Sequence, residues 1–443
     1  MQCEREVAVR GLVEVFEKKS YSNVAMRRIL ARCGHFNRTQ KAFVTEIMSG
    51  CIRNLMQIDY IIGSFSYTPV AKMKPSIANI LRISVYQMKF MDKVPTFAIC
   101  SEAVNLAKKM GFARLSGFVN GVLRNIARNL DGFALPDFLH VKYSCSRWIV
   151  EHFVDELGRD AAEALLESVC KPPDVTLCVN TNRISTDELI EVLAEEGVSA
   201  TPGNLAKNAL AVSKTSDMAA LPSFQKGHYH VMDQAAMLAI QAAAPAENTR
   251  IIDVCAAPGG KSFMAAYLAP GAKITSRDIH DFKLNMLKEG AERLGLSGIS
   301  VEKWDATVID EGLRNSADLV IIDAPCSGLG TLCRRPDVKL FKEQQSIGGL
   351  VDLQRRILES AWQYVKPGGK LLYSTCTISS KENIDNMRWF LNSFPFKPVD
   401  FSANVPDIPE FATARDGYVQ VLPQYFDTDG FFIAIFEREQ TYE

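Results

Sequence analysis

Of the eleven cysteines in this chain, two stand where a thiol could do chemistry. Cys326 lies in Asp323-Ala324-Pro325-Cys326-Ser327-Gly328, directly after the apolar run ADLVII, and Cys376 lies in Ser374-Thr375-Cys376-Thr377, directly after GKLLY. Both runs read as strands, so both thiols are expected at strand ends. A thiolate is a soft, strong nucleophile once its pKa falls below the ordinary value of about 8.5. One reaction that needs such a thiol and gains from a second is addition to C6 of a cytosine ring. The adduct makes C5 nucleophilic toward an electrophilic methyl group, after which the C5 proton and the thiol must both leave. An acidic group near N3 would stabilise the adduct, and Asp323 is the candidate. For either cysteine alone, an inert core residue is the ordinary alternative. Two at neighbouring strand ends favour the chemical reading.

A cofactor loop lies upstream. Ile251-Ile252-Asp253-Val254 reads as a buried first strand, running into Cys255-Ala256-Ala257-Pro258-Gly259-Gly260-Lys261 before a helix. Small residues let a ligand approach the backbone, and a helix N-terminus favours negative charge, so a nucleotide-like cofactor is expected there. A Walker A loop is the rival: Gly260-Lys261-Ser262 fits its end, but Cys255 occupies its first glycine position, and the GxGxxG spacing is absent. Carboxylates then recur at strand ends. Asp278 follows the second strand, where it could accept from both ribose hydroxyls, Asp305 follows the third, toward an adenine side, and Asp323 ends the fourth. Each alone could be a cap or turn residue.

The elements that must position these groups follow from pattern. Beyond Gln234, strand-like and helical stretches alternate: RIIDVCA, KSFMAAYLA, AKITSRDI, a helix from Asp281 to Leu294, SVEKW, ADLVIIDAP, LVDLQRRILESAWQYV, GKLLYST and a last strand FFIAIFERE. Such alternation predicts βαβ units and a mostly parallel sheet with helices on both faces. From Glu4 to about Asn129 apolar residues recur at three and four spacings, which predicts an all-α bundle. Between them, DVTLCVNTNR, STDELIEVLAEEG, NALAVSK and HYHVMD predict a small α+β connector. The expected division is 1–135, 136–233 and 234–443.

At 443 residues, with 47% apolar and 23% charged residues, the chain has the composition of a foldable multidomain protein. Its charge is segregated: residues 1–140 carry 20 Lys+Arg against 10 Asp+Glu, the remainder 30 against 41. A basic module joined to an acidic one suggests that the first part meets a polyanion, with solvated helix faces as the alternative. The start MQCEREVAVR is charged and no run of eighteen apolar residues occurs, so a cytoplasmic protein without a membrane span is expected. There is no CxxC and no HExxH, and no metal site is expected.

DVCAAPGGKS, DAPCSGLG and STCTIS, in that order, resemble the signature blocks of RNA 5-methylcytosine methyltransferases of the NOL1/NOP2/Sun class. The resemblance implies S-adenosylmethionine as cofactor, Cys376 as nucleophile and Cys326 in product release. It also implies an α/β Rossmann-like class I methyltransferase domain with an antiparallel last strand. The first 130 or so residues resemble the NusB-type helical RNA-binding domain, with LRISVYQMKFMDKVPTFAICSEAVNLAKK and GFVNGVLRNIAR the telling stretches. That layout is shared with bacterial Sun/Fmu-type enzymes, which implies small-subunit (16S) ribosomal RNA as partner, cytosine 967 as its target and a monomer. Departures from the family pattern include Gly290, where an asparagine is usual, and LPQYFDTDGFF, which keeps Asp429-Gly430-Phe431-Phe432 but lacks histidines. A non-catalytic RNA-binding factor and a P-loop NTPase remain the competing classes.

Overall fold

The computed structural model describes residues 3–91, 94–171, 174–213 and 218–440. The chain divides into two compact units, Met1–Cys170 with Arg334–Lys342, and Lys171–Cys333 with Glu343–Glu443.

The first unit is helical. Helices Glu4–Lys18, Arg38–Arg53, Pro75–Phe90, Thr96–Lys109 and Ser116–Asn129 each turn one apolar stripe inward. Leu12, Ile47, Met48, Ile80, Leu81 and Leu123 lie in their shared core. Local chemistry sets the boundaries. Asn37 and Gln40 form a capping box ahead of Arg38, and Pro75 opens its helix, where a missing N–H costs nothing. The continuous helical pattern through CIRNLMQ is broken at Asn54, whose side-chain amide and backbone N–H both donate to the Gly50 carbonyl. A second helix, Leu55–Phe65, starts there. Residues 334–342 complete this unit: Lys339 is fully buried and its ammonium donates to the Tyr143 carbonyl at 3.0 Å, while Ser22 Oγ donates to Asp337 at 2.5 Å.

The second unit holds two sheets. The smaller joins β1 (Val175–Val179), β2 (Ser199–Pro202), β3 (Ala209–Ser213) and β4 (Tyr229–Val231), all antiparallel, in the order β2-β3-β1-β4. Its helix Thr186–Glu195 begins at a Ser185/Glu188 capping box.

The larger sheet has β5 (Arg250–Asp253), β6 (Lys273–Asp278), β7 (Ile299–Lys303), β8 (Ala317–Asp323), β9 (Val365–Thr375), β10 (Phe396–Pro398), β11 (Tyr418–Val421) and β12 (Phe431–Arg438). The order is β10-β12-β9-β8-β5-β6-β7, with β11 on β12. Strands β5 to β9 are mutually parallel, as the pattern predicts, and β12 runs antiparallel to β9, as the resemblance implies. The short strands β10 and β11 had no counterpart in that pattern. Alternation along the strands divides the core: Ile251, Leu319, Ile321, Leu372 and Ile433 face one helical layer, and Ile252, Val320, Ile322, Leu371, Tyr373 and Phe432 face the other. The order reverses beside β5, which lies between β6 and β8, so a crevice opens at the carboxyl ends of these strands.

Candidate active site

Every strand-end residue singled out by type falls on this edge. Asp253 closes β5, Asp278 closes β6, Asp305 follows β7, Asp323 closes β8 and Cys376 follows β9. In-register pairing of β8 with β9 sets Asp323 opposite Ser374, whose hydroxyl donates to Asp323 Oδ1 at 3.2 Å. The segments after both strands therefore leave the sheet side by side.

The two thiols meet: Cys326 Sγ and Cys376 Sγ are 3.3 Å apart, and each is partly exposed. The hydrogen bond with Cys376, then burial, then the charges of Cys376 and Glu382 hold the Cys326 thiol well above its ordinary pKa. A raised pKa keeps the Cys326 thiol in its protonated form near neutral pH.

Lys261 is buried against Asp323 and Phe431 rather than turned to solvent. Its ammonium is 2.7 Å from Asp323 Oδ2 and 4.8 Å from the centre of the Phe431 ring, and only 7% of its side chain is exposed, against 38% for Asp323. Behind it, Asp253 is fully buried and accepts from Ser262 Oγ at 2.7 Å. Burial pushes its carboxyl up to about 7, and the nearby Asp323 charge adds to that.

The loop Cys255, Ala256, Ala257, Pro258, Gly259 leads from β5 into the helix Gly260–Leu268 through a cis Ala257–Pro258 peptide. Gly259 has φ +114°, and a Cβ there would run into the Phe263 ring. Glycine is therefore required by both conformation and space. Phe263 also explains Gly290, because a Cβ at that position would lie 2.7 Å from the same ring. Cys255 is chemically quiet: burial, then the Asp253, Asp323 and Asp278 carboxylates, raise its thiol well above the ordinary range.

Asp278 is nearly buried, with Oδ1 accepting from His280 N at 2.9 Å and Oδ2 lying 3.9 Å from the Lys283 ammonium. Asp305 is exposed, and its Oδ1 accepts from Thr307 N and Oγ1, which holds its carboxyl below the usual range. A tight glycine turn, a helix N-terminus and a nearly buried carboxylate one strand away fit an adenosine-type cofactor with a charged tail. No group of residues that could hold a metal ion occurs among the described residues.

Several site residues were not singled out by their chemistry in the sequence. Gly430 N donates to the Gly330 carbonyl at 2.8 Å and Gly330 N to the Cys376 carbonyl at 3.0 Å, tying the Asp429–Phe432 segment to both thiol loops. Glu382 and Gln354, both buried, hold the backbone around Cys326. Gly330 and Gly430 look in sequence like ordinary turn glycines, and Lys381-Glu382-Asn383 looks like a solvated turn.

Comparison with known proteins agrees with this architecture. The family model for 16S rRNA methyltransferase RsmB/F matches residues 240–437, that for the NusB family residues 2–128, and that for the RsmF/B-like ferredoxin-like domain residues 145–219. A Bacillus subtilis protein described as probable ribosomal RNA small subunit methyltransferase B is 35% identical, covering 98% of each chain. The crystal structure of PH0851 superposes with a TM-score of 0.81 at 26% identity over 99% of both chains. That of NSun6 from Pyrococcus horikoshii with SFG gives 0.60 at 21% identity, over 67% of this chain and 98% of that one.

Proposed function

This chain belongs to the ribosomal RNA small subunit methyltransferase B family, and from that premise we propose that it methylates C5 of a cytosine in 16S rRNA through a covalent Cys376–C6 adduct. The observation that carries the reading is the pair of sulfurs 3.3 Å apart at the ends of adjacent parallel strands. S-adenosylmethionine, when bound, supplies an electrophilic methyl group. Gly259, Gly260 and the loop Cys255–Pro258 would hold it at the helix N-terminus, with Asp278 on its ribose and Asp305 toward its adenine.

The chain's own groups do the rest. The Cys376 thiolate adds to C6, and the electron pair of the C5–C6 double bond passes to C5, which is then methylated. Asp323, held by Lys261, faces the N3 edge of the base, where a proton shared between its carboxyl and N3 neutralises the charge that addition places on the ring. Loss of the C5 proton and expulsion of Cys376 restore the double bond. Cys326, whose pKa is raised, donates its S–H to the departing thiolate and so assists release.

The basic helical segment supplies RNA affinity, and we read 1–135, 136–233 and 234–443 as its functional divisions, acting as a cytoplasmic monomer. Among the described residues no helix is long and apolar enough to cross a membrane. Mapping 5-methylcytosine in 16S rRNA from cells with and without this chain tests the proposal. One mark, cytosine 967 by the family resemblance, is expected to disappear. An unchanged map overturns it.

A further inference from the structure

We propose that Glu382 is a positioning residue for the second thiol, clamping with Gln354 the two peptide groups on either side of Cys326 and so fixing its sulfur against that of Cys376. Glu382 is fully buried. Its Oε2 accepts from Ser327 N at 2.8 Å and from Gln354 Nε2 at 2.9 Å. The same Gln354 nitrogen donates to the Pro325 carbonyl at 3.0 Å. Pro325 O belongs to the peptide entering Cys326 and Ser327 N to the peptide leaving it. Holding both planes sets φ and ψ at Cys326, and with them the direction of its side chain.

The next residue ties down the loop of the first thiol through its neighbours. Asn383 Oδ1 accepts from Thr375 Oγ1 at 2.6 Å, and its Nδ2 donates to the Thr377 carbonyl at 3.0 Å, one bond on each side of Cys376. Ser327 and Thr377 hydroxyls, 2.7 Å apart, join the two loops, and Asn386 Nδ2 donates to Gln354 Oε1 at 2.8 Å, fixing the amide's orientation. Consecutive side chains thus set the position of the two sulfurs relative to one another. A buried carboxylate is a costly way to fill space. Glu382 Oε1 has no hydrogen-bond partner among the described residues, so the contacts of this side chain are those Oε2 makes around Cys326.

The inference rests on the function proposed above, and its test separates the two. Phenylarsine oxide bridges two thiols only when they are held close together. Wild-type full-length protein is expected to bind one arsenical at this pair, mapped by its loss in Cys326→Ala and in Cys376→Ala. Glu382→Ala and Gln354→Met should lower that bridging by roughly tenfold, the loss of one or two buried hydrogen bonds. Both should leave S-adenosylmethionine affinity unchanged and accumulate denaturation-resistant enzyme–RNA adduct per turnover. Glu382→Gln keeps an acceptor for Ser327 N and should restore bridging and release. Should Glu382→Ala fail to fold, Gln354→Met carries the test. Bridging and release at wild-type levels in Gln354→Met, or no rescue by Glu382→Gln, overturn the clamp. Bridging lost as expected in a protein that methylates no cytosine leaves the clamp standing and overturns the function.

Discussion

Replacing each thiol separately distinguishes their roles. Cys326 Sγ lies 3.3 Å from Cys376 Sγ and its pKa is raised, so on the proposed mechanism Cys326→Ala removes a hydrogen bond to a sulfur that carries negative charge whenever it leaves the ring. A hydrogen bond to a charged group contributes about 1.5–3 kcal/mol. At about 1.36 kcal/mol per decade, release should slow by about 10- to 150-fold while addition and methyl transfer proceed. The variant should therefore run one turnover and stall as covalent complex, visible as a band of enzyme plus labelled 16S fragment that survives denaturation. Cys376→Ala should show neither band nor methyl transfer from labelled cofactor, because the site's remaining thiol, Cys326, is held in its protonated form. Normal product release by Cys326→Ala, or a surviving adduct in Cys376→Ala, would refute this assignment of roles.

Four further outcomes follow from the same site. Lys261→Met removes the partner of Asp323; because Asp323 is more than a third exposed and therefore screened, thermal stability should fall by only about 1 kcal/mol. Methyl transfer should fall on the order of tenfold or more, since the carboxylate loses its orientation. Burial lifts the Asp253 carboxyl from 3.8 to about 7, so its contribution to stability is fully present below about 3.8 and is lost as pH rises to about 7. Asp253→Asn should flatten the fall in Tm across that window, measured by calorimetry. Gly259→Ala, forced to φ +114° against the Phe263 ring, should cost roughly 1–3 kcal/mol and weaken cofactor binding, seen by titration calorimetry. Binding of 16S fragments should weaken steeply with salt if the 20 Lys+Arg of residues 1–140 carry it, and charge-reversing substitutions there should reduce the slope.

What could be read from the sequence was whatever one element determines alone. Strand-end placement of Asp253, Asp278, Asp305, Asp323 and Cys376 follows from apolar runs of strand length alternating with helices, because parallel strands deliver their carboxyl ends to one edge. The break at Asn54 was less visible, since apolar periodicity continues through it and only a local side-chain bond to Gly50 interrupts the helix. RRPDVKL shows the opposite failure. It falls within the expected 234–443 division, yet Lys339 is buried in the helical unit, where its ammonium meets the Tyr143 carbonyl. Least legible is the arrangement on which the proposed division of tasks between the thiols rests. Ser327 and Glu382 are 55 positions apart, and Ser327 and Thr377 are 50 apart. No period or propensity records such pairs; they exist only once β8 and β9 lie in register and bring both loops onto one buried polar network. Two identical side chains can serve as nucleophile and proton holder only if their surroundings differ. The difference here is a carboxylate that faces Cys326 from a segment which, by composition, looks like surface.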